Sequence, residues 1–182
     1  MTIRYALLGR LNDLRDAITT IPDARSWRAC ALVYLLFLTC AAPIGLLSGL
    51  LKPGVPRQSA TETIAAGVFL FARPALVEEI VFRGLLLPRD PRSIPRSRAV
   101  PVAIVALAVY VGAHPLNALL TWPASLTVFG NPVYLGLTTL LGIACTAAYW
   151  ISKSIWPPVA MHWVTVIVWL WLLGGQTLLT KG

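Results

Sequence analysis

The sequence predicts an all-α polytopic membrane protein, a transmembrane bundle of about five spans with an amphipathic N-terminal helix beside it. Three observations carry that class. Charged residues make up 12% of the 182 positions and mean hydropathy is +0.74, whereas soluble domains hold about 25% charged residues. Residues 29–51, "ACALVYLLFLTCAAPIGLLSGLL", run for 23 positions without a charge, and about 20 suffice to cross a bilayer. Further apolar stretches of similar length follow, separated by short connections bearing Pro and Arg.

The elements follow in chain order. Segment 1–27 places Ile3, Leu7, Leu11, Leu14 and Ile18 at helical spacing with charges between them, the pattern of a helix lying on a membrane surface. It is too polar, and lacks the compact apolar run, to read as a cleavable signal peptide. Segment 28–58 holds the first span, which Pro43 is placed to kink, and a loop. Segment 59–182 forms the core. Its first span covers roughly 60–87 and opens on Ser59 with Glu62 three residues on, a capping box; Arg73 and Pro74 interrupt it midway. The next covers about 99–114 and extends through 116–120 if it bends at Pro115. "LTWPASLTVFGNP" (120–132) has the Pro, Gly and Ser density of a loop. Spans at about 133–151 and 155–175 complete a single compact domain. No internal repeat or low-complexity tract interrupts it.

Net charge is +8, from 15 Lys and Arg against 7 acids. The bases fall between apolar spans rather than on one solvated face, which argues against a nucleic-acid partner and for a lipid bilayer. With the N-terminus inside, the inner side receives Arg4, Arg10, Arg15, Arg25, Arg28, Arg89, Arg92, Arg96, Arg98 and Lys153, and the outer side only Lys52, Arg57 and Lys181. The positive-inside bias therefore sets the N-terminus in the cytoplasm and the C-terminus outside, in a plasma (inner) membrane. "PRDPRSIPRSR" (88–98) becomes a stiff cytoplasmic loop able to meet anionic lipid. Cys30, Cys40 and Cys145 form no CxxC pair and read as small core residues.

Ionisable residues inside spans are costly, and so mark function. Here they are Glu78, Glu79, Arg83, His114 and His162, with Arg73 a weaker sixth that reads as a paired or snorkelling charge. Counted from the cytoplasmic ends of their helices at about 1.5 Å per residue, Glu78, His162 and His114 lie roughly 15, 10 and 22 Å deep. Three groups on separate helices can then meet in a water-lined pocket, expected to open toward the cytoplasm. Glu79 and Arg83 are four apart with the acid first, the favourable order for an ion pair on one helix face. Glu78 is rotated about 100° away and is left to find another partner, for which His114 is the natural choice. A carboxylate held in low dielectric is a stronger base than one in water. Glu and His are also zinc ligands, but neither HExxH nor HxxEH is present, so a site without cofactor is the expectation and zinc the alternative.

These residues resemble the CAAX-protease and bacteriocin-processing (CPBP, or Abi) family of glutamic intramembrane proteases, whose pattern is EExxxR, FxxxH and HxxxN on successive membrane helices. The first stands here as Glu78-Glu79-Ile80-Val81-Phe82-Arg83. The second is Tyr110-Val111-Gly112-Ala113-His114, with Tyr for Phe. The third is His162-Trp163-Val164-Thr165-Val166, with Val where the family usually has Asn. The resemblance covers about 60–172. It implies an endopeptidase acting on a membrane-associated peptide or protein, with Glu78 and His114 activating a water and His162 supporting the oxyanion. Val166 cannot donate a hydrogen bond, so either His162 and a nearby donor such as Thr165 suffice or activity is weakened. Two rivals remain at this level: an inactive relative acting as a membrane-binding partner, and a small transporter or proton relay, against which the lack of repeated halves counts.

Overall fold

The computed structural model describes residues 3–54 and 59–181, and they are helical almost throughout. Helix α1 (Ile3–Thr19) is followed after four residues by α2 (Ala24–Leu47), whose first turn is capped by Asp23 accepting from the Ser26 amide at 2.7 Å. The expected capping box opens α3 (Ala60–Leu70): the Ser59 amide donates to Glu62 Oε2 at 2.8 Å, and the Glu62 amide donates to Ser59 Oγ at 3.3 Å. The chain then kinks at Arg73 (φ −145°, ψ 118°), ahead of Pro74. The kink lies within Phe71–Leu76, which continues through Val77–Glu79 and Ile80–Leu85, together α4. Arg73 is exposed and makes no ion pair among the described residues.

Helix α5 (Arg96–Thr121) passes through Pro115 without ending, so the longer form of that span holds. The loop expected over 120–132 keeps its turns at Trp122 and Gly130 but folds Leu126–Phe129 into a single turn, α6. Helices α7 (Pro132–Ser152), α8 (Trp156–Leu172) and α9 (Gly175–Lys181) follow. Three helices, α2, α5 and α7, are long and apolar enough by themselves to cross a membrane. The other two spans are the broken pair α3–α4 and the 17-residue α8. Helix α7 is the central one: 44% of its apolar window is buried, against 22% for α2 and 17% for α5. The outward faces of α2 and α5 expose Leu32, Leu36, Ile104 and Val105, as lipid-facing surfaces do. Cys40 shares that exposure, against the expectation of a core position, while Cys30 and Cys145 are buried.

Small residues let the helices approach. Phe37 and Ala41 of α2 meet Leu141, Ala144, Cys145 and Ala148 of α7. A side chain at Gly142 would collide with Leu107 and crowd the Tyr110 ring of α5. Helix α1 is built into one end of the bundle. Leu14 lies where a Cβ on Gly84 would stand, Ala17 is fully buried, and the Ala17 carbonyl accepts from the Ile155 amide at 3.1 Å. The same end is knotted by polar contacts. Arg89 donates to the Lys153 carbonyl (2.9 Å) and to Thr20 Oγ1 (2.7 Å), Ser154 donates to the Thr20 carbonyl (2.7 Å), and Lys153 pairs with Asp90. That ammonium, helped by the Arg92 amide, holds the Asp90 carboxyl below its ordinary range. At the opposite end the chain after α2 crosses to the end of α8, where Lys52 and Gly54 amides donate to Leu173 and Leu172 carbonyls, both at 3.0 Å.

The close approach at Gly84 gives a test of the docking. Gly84→Val would force Leu14 away and release α1, so trypsin should cut at Arg10 and Arg15 at least tenfold faster than in the wild type, while the rest of the bundle stays protected.

Candidate active site

Helix α4 supplies the acids and the cation. Beyond Glu79 its turns widen, and the Leu86 amide reaches the Val81 carbonyl five residues back at 3.2 Å. Such widened turns are common where a helix must aim side chains at a site. Glu79 (0% exposed) and Arg83 (2%) form the expected pair, with Arg83 Nη1 donating to Glu79 Oε1 at 2.9 Å. The guanidinium is further satisfied by the Gly142 carbonyl of α7 at 3.0 Å, and its Cζ lies 4.4 Å from the centre of the Tyr110 ring of α5.

The pair is not closed on itself. His162 of α8, 2% exposed, donates from Nδ1 to the same Glu79 oxygen at 2.9 Å. The other ring nitrogen, Nε2, lies 3.9 Å from Glu78 Oε2. Glu78 is 28% exposed, and its Oε2 is buried without a hydrogen-bond partner among the described residues. The Glu78–His114 pairing drawn from helix rotation is corrected here, because the histidine nearest Glu78 is His162. His114 instead turns its Nδ1 back to the Tyr110 carbonyl at 3.0 Å. A carbonyl only accepts, so this ring holds its proton on Nδ1 and presents a bare Nε2. Tyr110 stands between the two histidines, its ring edge-on to both, at 5.1 Å from His114 and 6.2 Å from His162.

A cavity of about 140 Å³ adjoins this cluster. Both histidines and Tyr110 line it, with apolar residues of α2, α7 and α8 making most of the remaining wall. Val166, one turn past His162, is part of that wall; Thr165 beside it is engaged with Tyr34 Oη (3.0 Å) and the Met161 carbonyl (2.8 Å). The cavity runs toward Leu50, Leu51 and Leu173, the end remote from the basic loops. The basic end, where the pocket was expected to open, is filled by buried Leu87, Pro88 and Ile155 beneath the knot around Arg89, Lys153 and α1.

Residues 60–168 match the family described as Type II CAAX prenyl endopeptidase Rce1-like. The chain belongs to that family. No curated protein and no solved structure gives a match. The Rce1-like region runs from α3 through most of α8 and contains Glu78, Glu79, Arg83, Tyr110, His114 and His162. Helix α2, outside it, still contributes Tyr34 to the cavity wall. Sequence reasoning missed the Gly142 carbonyl, since a backbone acceptor leaves no mark in residue type, and missed that one imidazole reaches both adjacent acids.

Removing one partner of a buried ion pair strands the other, at a cost of about 3–5 kcal/mol. Arg83→Met should lose stability of that order in thermal unfolding of the detergent-purified protein. Glu79→Gln combined with Arg83→Met should recover at least half of it.

Proposed function

We propose that the protein is a membrane-embedded endopeptidase that hydrolyses a peptide bond of a membrane-associated peptide or protein with Glu78 as general base. One observation carries the reading: Glu78 faces His162 Nε2 with an uncommitted carboxylate oxygen, beside an acid already compensated by Arg83. Glu79 orients His162; Glu78 is left free to act. Water attacks the scissile carbonyl as its proton passes to Glu78, a C–O bond forms, and the carbonyl π pair moves to oxygen. When the tetrahedral species collapses, the C–N bond breaks and Glu78 returns the proton to the leaving nitrogen. His114, with a bare Nε2 at the cavity, holds the attacking water by accepting its second proton in a hydrogen bond.

The reading is metal-free. Among the described residues no three His, Cys, Asp or Glu side chains are grouped to hold a metal ion, and Glu79 Oε1 and His162 Nδ1 are already bound to each other. The mostly apolar cavity suits a substrate that partitions into lipid, including one with a prenylated end. The bias of basic residues supports a plasma-membrane protein with its N-terminus in the cytoplasm.

The test is cleavage of quenched fluorescent peptides, prenylated and unprenylated, by protein in nanodiscs. Glu78→Ala and Glu78→Gln should each lower kcat/KM by at least 1,000-fold, His114→Ala and His162→Ala by at least 100-fold, and a chelator should change nothing. Wild-type turnover that survives Glu78→Ala would sink the mechanism. Val166 favours a second reading, an inactive binding protein, which predicts saturable peptide binding with no cleavage by the wild type.

A further inference from the structure

The site is rich in acceptors and poor in free donors. Glu78 and Glu79 accept, His114 presents a bare Nε2, Val166 offers nothing, and the Tyr134 and Thr138 hydroxyls on the cavity wall are bonded to each other. Thr165 donates to the Met161 carbonyl and is bridged by Tyr34, so those hydroxyls are committed to each other. Arg83 is turned toward Glu79, the Gly142 carbonyl and the Tyr110 ring. A tetrahedral oxyanion formed here needs a hydrogen-bond donor, and such donors supply much of the rate in acyl-transfer sites.

Tyr110 has one to spare. The residue is 1% exposed and lines the cavity, and its hydroxyl has no partner among the described residues. Leaving a buried hydroxyl unpaired costs about 1–3 kcal/mol, and phenylalanine would fill the same space without that cost. The ring is held on several sides: Arg83 over its face, Phe82 at 5.2 Å, both histidines edge-on, and Gly142 leaving room beside it. A polar group so rigidly placed and so poorly satisfied is the mark of a group whose partner arrives with the substrate. Trp169 Nε1 is a second unpartnered donor on the cavity wall. It sits seven residues beyond His162 on α8, roughly 10 Å further along the axis, too far to serve the same atom.

Resting on the endopeptidase reading above, we propose that Tyr110 is a catalytic residue whose hydroxyl donates a hydrogen bond to the substrate's carbonyl oxygen as it becomes an oxyanion. The proton stays on Tyr110 throughout; only the hydrogen bond strengthens as charge develops on the oxygen.

Tyr110→Phe removes the hydroxyl and nothing else. The measurements are its melting temperature, its kcat and KM, and its affinity for a peptide carrying a phosphinate in place of the scissile amide, a tetrahedral anion that reads donation without turnover. We expect an unchanged or higher melting temperature, kcat lowered about 100-fold with KM unchanged, and phosphinate binding weakened at least tenfold. A lower melting temperature would mark the hydroxyl as structural and overturn the proposal. Equal kcat and equal phosphinate affinity in an active protein would overturn it while leaving the proteolysis reading intact. A wild type that binds the phosphinate through Tyr110 but never cleaves leaves the donor standing and removes the proteolysis. A wild type that neither binds nor cleaves removes both.

Discussion

The buried Glu79–Arg83 pair is the constraint on which the rest of the structure depends. Two charges taken out of water need partners inside the bundle. Arg83 reaches α7 through the Gly142 carbonyl and α5 through the Tyr110 ring, and Glu79 reaches α8 through His162, its other oxygen staying buried without a partner among the described residues. One ion pair on α4 thereby fixes the relative placement of four helices. Within a bilayer lipid tails compete equally for apolar side chains, so such polar ties, together with small residues at the crossings, supply much of the specificity that water would otherwise enforce. Gly142 does both jobs: its missing side chain admits Tyr110, and its carbonyl receives Arg83.

How much of this the sequence discloses depends on the range of the interaction. Everything within one turn was legible: the Ser59–Glu62 capping box, the break at Arg73–Pro74, and the acid-first Glu79–Arg83 spacing. The approach of Glu78 to His162, and the place of both histidines on one cavity wall, was also within reach, because depth is counted from helix ends. Partner choice was not. Rotation about an ideal helix sends Glu78 and Glu79 in different directions, which suggested separate partners. A single imidazole, with nitrogens on opposite sides of its ring, reaches toward both. His114 had an option invisible to any count of spacing, the carbonyl of its own helix one turn back.

The basic end of the bundle was misjudged for a related reason. Bases mark the end of a bundle where charge accumulates, and it is natural to set the opening there. In the structure those bases are spent on closure: Arg89 spans from Lys153 to Thr20, and α1 is drawn over the widened part of α4 at Gly84. The hydrocarbon-lined part of the cavity lies where the chain has few charges, toward Leu50, Leu51 and Leu173.

The division of the acid pair follows from charge accounting. Were both acids free, two carboxylates side by side in low dielectric would repel, and one would take up a proton and lose its basicity. Arg83 removes that conflict by neutralising Glu79 alone. Glu79 engages Arg83 and His162 through one oxygen, and Glu78 is the one of the two acids that solvent reaches.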